Sequence, residues 1–199
     1  MVEGGDNLEL LERSLDQLRR VIAALRTDQA AALPTPCAEW DVRTLARHVI
    51  GQDLHNFARR VRGEPVDWHT SFDELGDDWS AEFDAGAQQI RDAWHAVTPG
   101  QTVTMPGGQE IPLLSLADQQ TAEFCVHAWD LVRATGQDVE LDAAAAEHGL
   151  RWARRMLRPE ARGPGKPFGY EVQVPGDAPA YDRLAAWLGR DPHWSAAAR

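Results

Sequence analysis

Thr121-Ala122-Glu123-Phe124-Cys125-Val126-His127-Ala128-Trp129-Asp130-Leu131 decides how this chain is read. Glu123, His127 and Asp130 fall at i, i+4 and i+7, so on an α-helix they share one face. The plainer reading is a polar stripe turned to solvent. Against it, Phe124, Val126, Trp129 and Leu131 make the segment apolar nearly all round, which is the pattern of a buried helix. A buried carboxylate–imidazole pair needs a partner, because lone buried charges are costly, and a metal ion is one such partner. Asp130 is then an acceptor for an imidazole N–H, a fourth ligand, or an ion-pair partner of Arg133. Cys125, two positions from both Glu123 and His127, faces elsewhere and reads as a small core residue rather than a ligand or nucleophile.

A second imidazole is needed opposite that face. Val42-Arg43-Thr44-Leu45-Ala46-Arg47-His48-Val49-Ile50 supplies His48 on another helical stretch. His48, Glu123 and His127 together form a His₂Glu set, three protein ligands with a fourth position open, as in catalytic rather than structural zinc sites. A hydrogen-bonded core or boundary histidine is the ordinary alternative for His48. Gln52 and His55 follow His48 at i+4 and i+7, so His55 is expected as a solvated residue, a supporting group at the site, or an alternative ligand. Cys37 precedes a helix start, where thiolates can be stabilised; a packed or merely exposed thiol is the plainer expectation.

The remaining chain is also helical in pattern. Leu8, Leu11, Leu15, Leu18, Ile22 and Leu25 form one stripe between about residues 7 and 27. Pro34 and Pro36 break the chain, and Asp41 is placed to cap a helix running from Val42 to about Arg62. Residues 63–76 read as a loop, and 79–97 as a third helix. Thr102–Thr104 and Glu110-Ile111 flank Pro106-Gly107-Gly108, which predicts a short hairpin or ordered loop. A fourth helix spans about 113–135, with Gly136 just past its end. Asp142 caps a fifth from Ala143 to about Leu157; 158–180 wraps the surface with a strand over Tyr170–Val174, and 181–188 is a last short helix. The expected fold is all-α, a four-helix bundle over about 7–136 with a C-terminal extension over about 137–199, in a single unit. Bundles commonly build metal sites between facing helices.

Composition narrows the partners. A formal net charge of −11 argues against nucleic acid and anionic membrane, which require a basic surface. With 199 residues and 43% hydrophobic content the chain can bury a full core. There is no apolar run of about 18 residues to span a bilayer. Two cysteines make no disulfide framework, and the N-terminal stretch lacks the order of a signal peptide, so a cytoplasmic setting is expected. Eight tryptophans leave room for a homodimer interface. No Ser-His-Asp order, phosphate-binding glycine loop or HExxH motif is present.

Thr35-Pro36-Cys37, Trp40-Asp41-Val42-Arg43, Leu45 and His48 resemble the start of the metal-binding domain of mycothiol-dependent maleylpyruvate isomerases, in the DinB-like superfamily of four-helix bundles. Glu123 to Leu131 resembles that family's second ligand segment. Asp182-Arg183-Leu184 and Leu188-Gly189-Arg190-Asp191-Pro192 resemble an actinobacterial subgroup of uncharacterised metal-binding proteins. The resemblance implies that His48, Glu123 and His127 hold a divalent metal, most simply zinc, with nickel the alternative. It also implies mycothiol as thiol cosubstrate. The chain is too short for the sterol-carrier-like second domain of those isomerases, so maleylpyruvate itself is not the expected substrate.

Three functions fit these residues. One is a metal- and thiol-dependent transferase or isomerase acting on a small electrophile, with Arg43, Arg47 and Arg133 as candidate substrate-binding groups or plain surface ion pairs. The others are a metal-binding protein without turnover, its fourth position filled by Asp130 or His55, and a metal-dependent hydrolase using one of the same two as base.

Overall fold

The computed structural model describes residues 3–26, 30–37, 40–68, 74–105, 108–166 and 168–196. Its elements are α1 (Glu3–Ala23), α2 (Val42–Arg47), a π-helical segment (His48–Asp53), α3 (Leu54–Val61), α4 (Trp79–His95), β1 (Thr102–Thr104), β2 (Glu110–Pro112), α5 (Ser115–Thr135), α6 (Ala143–Met156), a short 3₁₀ turn (Pro159–Ala161) and α7 (Ala180–Trp187).

The leucine stripe of α1 becomes core: Leu11, Leu15, Leu18 and Ile22 are buried against Val42, Leu45, Leu54, Phe57, Phe83, Ile90, Phe124 and Leu131. Helix α1, the composite α2–π–α3 rod, α4 and α5 therefore make the all-α bundle expected from the pattern. The caps act as read. Asp41 accepts a hydrogen bond from the Thr44 N–H, Asp142 accepts from Ala144 and Ala145, and Gly136 ends α5 in the left-handed conformation at φ 67°. β1 and β2 pair antiparallel, with Thr102 opposite Pro112, Val103 opposite Ile111 and Thr104 opposite Glu110. The hairpin's expected tip at Pro106-Gly107 lies outside the described residues, as do Thr27 at the end of the first stripe and 69–73 of the expected loop.

Helix α5 is apolar all round because both sides are covered. Its far side, with Ala122, Cys125, Val126 and Trp129, packs on Ala145, Ala146, Leu150 and Ala153 of α6 and Leu184 of α7. The α5–α6 approach is close enough that a Cβ on Gly149 would stand 2.8 Å from the Ala122 Cα. Cys125 is a core residue, as expected: its sulfur accepts a hydrogen bond from the buried Gln17 amide, whose oxygen accepts from the Tyr181 hydroxyl.

Two expectations require correction. Residues 170–174 form no strand; the Val172 N–H is satisfied by the Ala186 carbonyl of α7, so the segment lies against a helix terminus and has no strand partner. The rod from Val42 to Val61 is not one regular helix. Between His48 and Asp53 it widens to a π turn, in which the Leu54 N–H bonds the Val49 carbonyl five residues back.

Candidate metal centre

The wide turn determines which side chains meet. In a regular α-helix the fifth residue after His48 would lie about 140° round the axis. The π turn instead carries Asp53 back beside His48, with its Oδ2 3.3 Å from His48 Nε2. The same change of phase turns His55 away; it is exposed and outside the cluster. Helix α5, which stays regular, brings Glu123 and His127 up from the opposite side. His127 Nε2 is 3.9 Å from both Asp53 Oδ2 and Glu123 Oε2, and the two imidazole ring centres are 5.2 Å apart, edge to face. One donor atom each from His48, Asp53 and His127 lies within 4.8 Å of the others.

Each imidazole is oriented from behind. His48 Nδ1 is 2.7 Å from the Gln52 amide oxygen, and the Gln52 nitrogen donates to the Trp68 carbonyl. His127 Nδ1 is 3.2 Å from Asp130 Oδ2. With Nδ1 as the donor in both rings, both Nε2 lone pairs point into the space shared with Asp53 and Glu123. Asp130 Oδ2 is the group that stands behind His127 at Nδ1. It is fully buried and held by Arg190, whose guanidinium stands 3.2 Å from Oδ2. Cys37 completes this outer layer, its thiol 3.1 Å from Asp130 Oδ2 and 3.0 Å from the Arg190 guanidinium.

The electrostatics follow from burial. Desolvation pushes Asp53 up to about 7, the nearby His127 opposing it. Glu123 is also pushed up to about 7 by burial, against the pull of His127. Burial lowers His48 to about 4, so it is a neutral imidazole with a free lone pair at neutral pH. Asp130 differs: burial pushes it up, but Arg190 and the bond from His127 hold it below the ordinary carboxylate value. Cys37 is raised by burial, only partly offset by Arg190, so it is a packed thiol rather than a stabilised thiolate. Counting Asp53, Glu123 and Asp130 against the one guanidinium leaves two negative charges unbalanced when all three carboxylates are ionised. The buried Asp53 Oδ2 accepts no hydrogen bond from any described residue. Two imidazoles and two carboxylates, with that excess of negative charge when ionised, suit one divalent cation.

Each of the three arginines proposed from sequence has a partner within the chain. Arg43 stacks on Trp79, Arg47 pairs with Glu74 at 2.6 Å, and Arg133 stacks on Trp129 and bonds the Pro192 and Trp194 carbonyls. The sequence reading missed Asp53, Gln52 as the support of His48, and Arg190. Asp53 was available as a carboxylate five residues after His48, but the α-helical period placed it on another face. A shallow hollow lined by Arg154, Glu171, Arg183 and Trp187 shares no residue with this cluster. Among the described residues no helix is long and apolar enough to cross a membrane.

Comparison with known proteins agrees with this architecture. The family model described as the mycothiol maleylpyruvate isomerase N-terminal domain matches residues 11–132, a stretch that includes His48, Asp53, Glu123 and His127. Uncharacterized proteins from two strains of Mycobacterium tuberculosis are each 36% identical over 188 residues, covering 93% of this chain and 98% of the relative. The crystal structure of a mycothiol-dependent maleylpyruvate isomerase superposes with a TM-score of 0.56 at 18% identity, covering 76% of this chain and 68% of that one. A histidine-to-alanine mutant of that enzyme gives 0.57 at 15% identity. At such identities the likeness is one of fold. The chain belongs to the mycothiol maleylpyruvate isomerase N-terminal domain family.

Proposed function

We propose that this protein binds a divalent metal, zinc in the first instance, through His48, Glu123 and His127. With it, the protein uses a low-molecular-weight thiol, mycothiol, in isomerase or transferase chemistry on a small electrophile. The observation that carries the reading is the meeting of the His48 and His127 Nε2 atoms at the buried Asp53 Oδ2, which accepts no hydrogen bond from any described residue, with Glu123 beside His127. Family membership and the solved isomerase supply mycothiol and the reaction class. Bound there, the metal would supply a positive charge that favours the thiolate form of a thiol at neutral pH.

The chain's own groups do the rest. Gln52 and Asp130 hold the two imidazoles in the tautomer that presents Nε2. Arg190 keeps Asp130 ionised and in place. His48 and Glu123 are the more exposed members of the set, with side chains 22% and 16% accessible, so a thiol approaches from their side. On this reading the chain acts as one unit in the cytoplasm, where a thiol pool is available.

The first test is metal content per chain by elemental analysis, native against His48→Ala and His127→Ala. Near-stoichiometric metal in the native protein, lost in both variants with the helical signal intact, is the expected result. Native protein that arrives metal-free and refuses added zinc would remove the reading. A second reading, a metal protein without turnover, draws on Asp53 as a further oxygen donor. Cobalt substitution separates the two, since mycothiol added to the cobalt form produces a sulfur charge-transfer band only if the thiol reaches the metal.

A further inference from the structure

One oxygen of the Asp53 carboxylate is a buried polar atom without a hydrogen bond from any described residue. The residue is 2% exposed and lies at the end of the π turn. Leaving a buried carboxylate oxygen without a donor is costly. A regular helix would have avoided that by turning the side chain to another face. The π turn does the opposite, carrying Asp53 in between the two imidazoles, and such turns frequently mark functional sites.

The distances identify what it faces. Donors on one ion with bonds of about 2.0–2.2 Å stand roughly 3–4.4 Å apart. Asp53 Oδ2 is 3.3 Å from His48 Nε2 and 3.9 Å from His127 Nε2, the same separation that His127 Nε2 keeps from Glu123 Oε2. Asp53 Oδ2 therefore lies close to both imidazole nitrogens, and His48, Asp53 and His127 are the residues whose donor atoms are mutually within 4.8 Å. Asp130 serves from behind instead, through His127 Nδ1 and Arg190. The other residue expected as a fourth ligand, His55, is exposed on another face.

We infer that Asp53 is a fourth protein ligand to a divalent metal in this site, making a His₂–carboxylate₂ set in place of His₂Glu with an open position. The inference rests on the metal site proposed above and goes beyond it. It fills the position left open in the sequence pattern, so an incoming thiol competes with Asp53 for its place. It also makes the donor set all nitrogen and oxygen, with Cys37 standing behind His127 beside Asp130 and Arg190.

The test uses full-length protein stripped of metal by chelator, comparing wild type with Asp53→Asn. Three quantities are read: zinc affinity by competition with a coloured chelator, the visible absorption of the cobalt form, and the melting temperature without metal at pH 8. A ligand role predicts at least about tenfold weaker zinc binding, a changed cobalt spectrum, and a higher melting temperature for the metal-free variant, because a buried carboxylate charge with one oxygen lacking a hydrogen-bond donor has been removed. A residue of purely structural value would lower the melting temperature and leave the spectrum alone. Equal zinc affinity with an identical cobalt spectrum overturns the inference while leaving His48, Glu123 and His127 as the site. Wild type that binds neither zinc nor cobalt overturns it together with the proposed function. Should Asp53→Asn not fold, Asp53→Ser is read in the same way.

Discussion

Two helices bring side chains to the candidate centre, and they do so differently. Helix α5 runs regularly from Ser115 to Thr135, and its Glu123, His127 and Asp130 lie where a period of 3.6 puts them. The opposing rod is interrupted at His48–Asp53, and there the same period misleads, retaining His55 and rejecting Asp53. The supports differ as well. His127 is backed by a fully buried carboxylate locked to Arg190, whereas His48 is backed by the neutral amide of the half-buried Gln52. The lesson is that a covered, regular helix keeps its sequence spacing legible. A helix that widens at a site exchanges legibility for an extra inward group.

The largest effect is expected on the charged support. Asp130→Asn should weaken metal binding roughly 10–100-fold, as loss of an acceptor behind a ligating imidazole does. Stranding Arg190 should also cost about 3–5 kcal/mol of stability. Chelator competition and urea unfolding measure the two separately. Lowered stability with unchanged affinity would reduce Asp130 to a partner of Arg190 and erase the contrast between the supports.

Next comes pH. Asp53 and Glu123 are both raised to about 7 by burial, so below that value protons compete with a metal for the carboxylates. Affinity should rise with pH and level off above about 7, by roughly tenfold per unit for each carboxyl still protonated. His48, lowered to about 4, adds nothing to that slope above pH 5 or so. Isothermal titration at pH 6 and pH 8 in two buffers reads both the affinity and the protons released. A flat profile would mean that metal binding releases no protons from these carboxyl groups.

The neutral support should matter less. Gln52→Leu is expected to lower metal affinity by about tenfold or less, the lower end for such groups. A loss equal to that of Asp130→Asn would show that the two sides are equivalent after all. The smallest effect is predicted for Arg47→Ala. Its exposed pair with Glu74 is worth under about 1 kcal/mol, and thiol or metal binding measured by titration should not change. A clear loss of thiol affinity would return Arg47 to the candidate substrate-binding groups.

Much of the fold was legible in local pattern. The stripe of Leu11, Leu15, Leu18 and Ile22, the capping Asp41 and Asp142, and Gly136 after α5 all act within a turn or so of their own position, where periodicity and backbone hydrogen bonding are decided. The apolar surround of Glu123 and His127 likewise announced a buried helix, and α6 and α7 are what cover its far side. Arg190 was not legible as part of the site. It reaches Asp130 from 60 residues away and Cys37 from 153 residues away, and no local period encodes such a meeting.

By itself, then, the sequence determined an all-α bundle, its helix ends, and a carboxylate and an imidazole side by side on a buried helix, because these depend on propensity, capping and a fixed period. Only the tertiary structure decided that Asp53 rather than His55 faces the two imidazoles, and that Asp130, Arg190 and Cys37 close behind His127. The first depends on backbone hydrogen bonding shifting from four residues back to five over His48–Asp53. The second depends on distant segments being packed together, which lets a buried charge be answered by a group the chain brings from its far end.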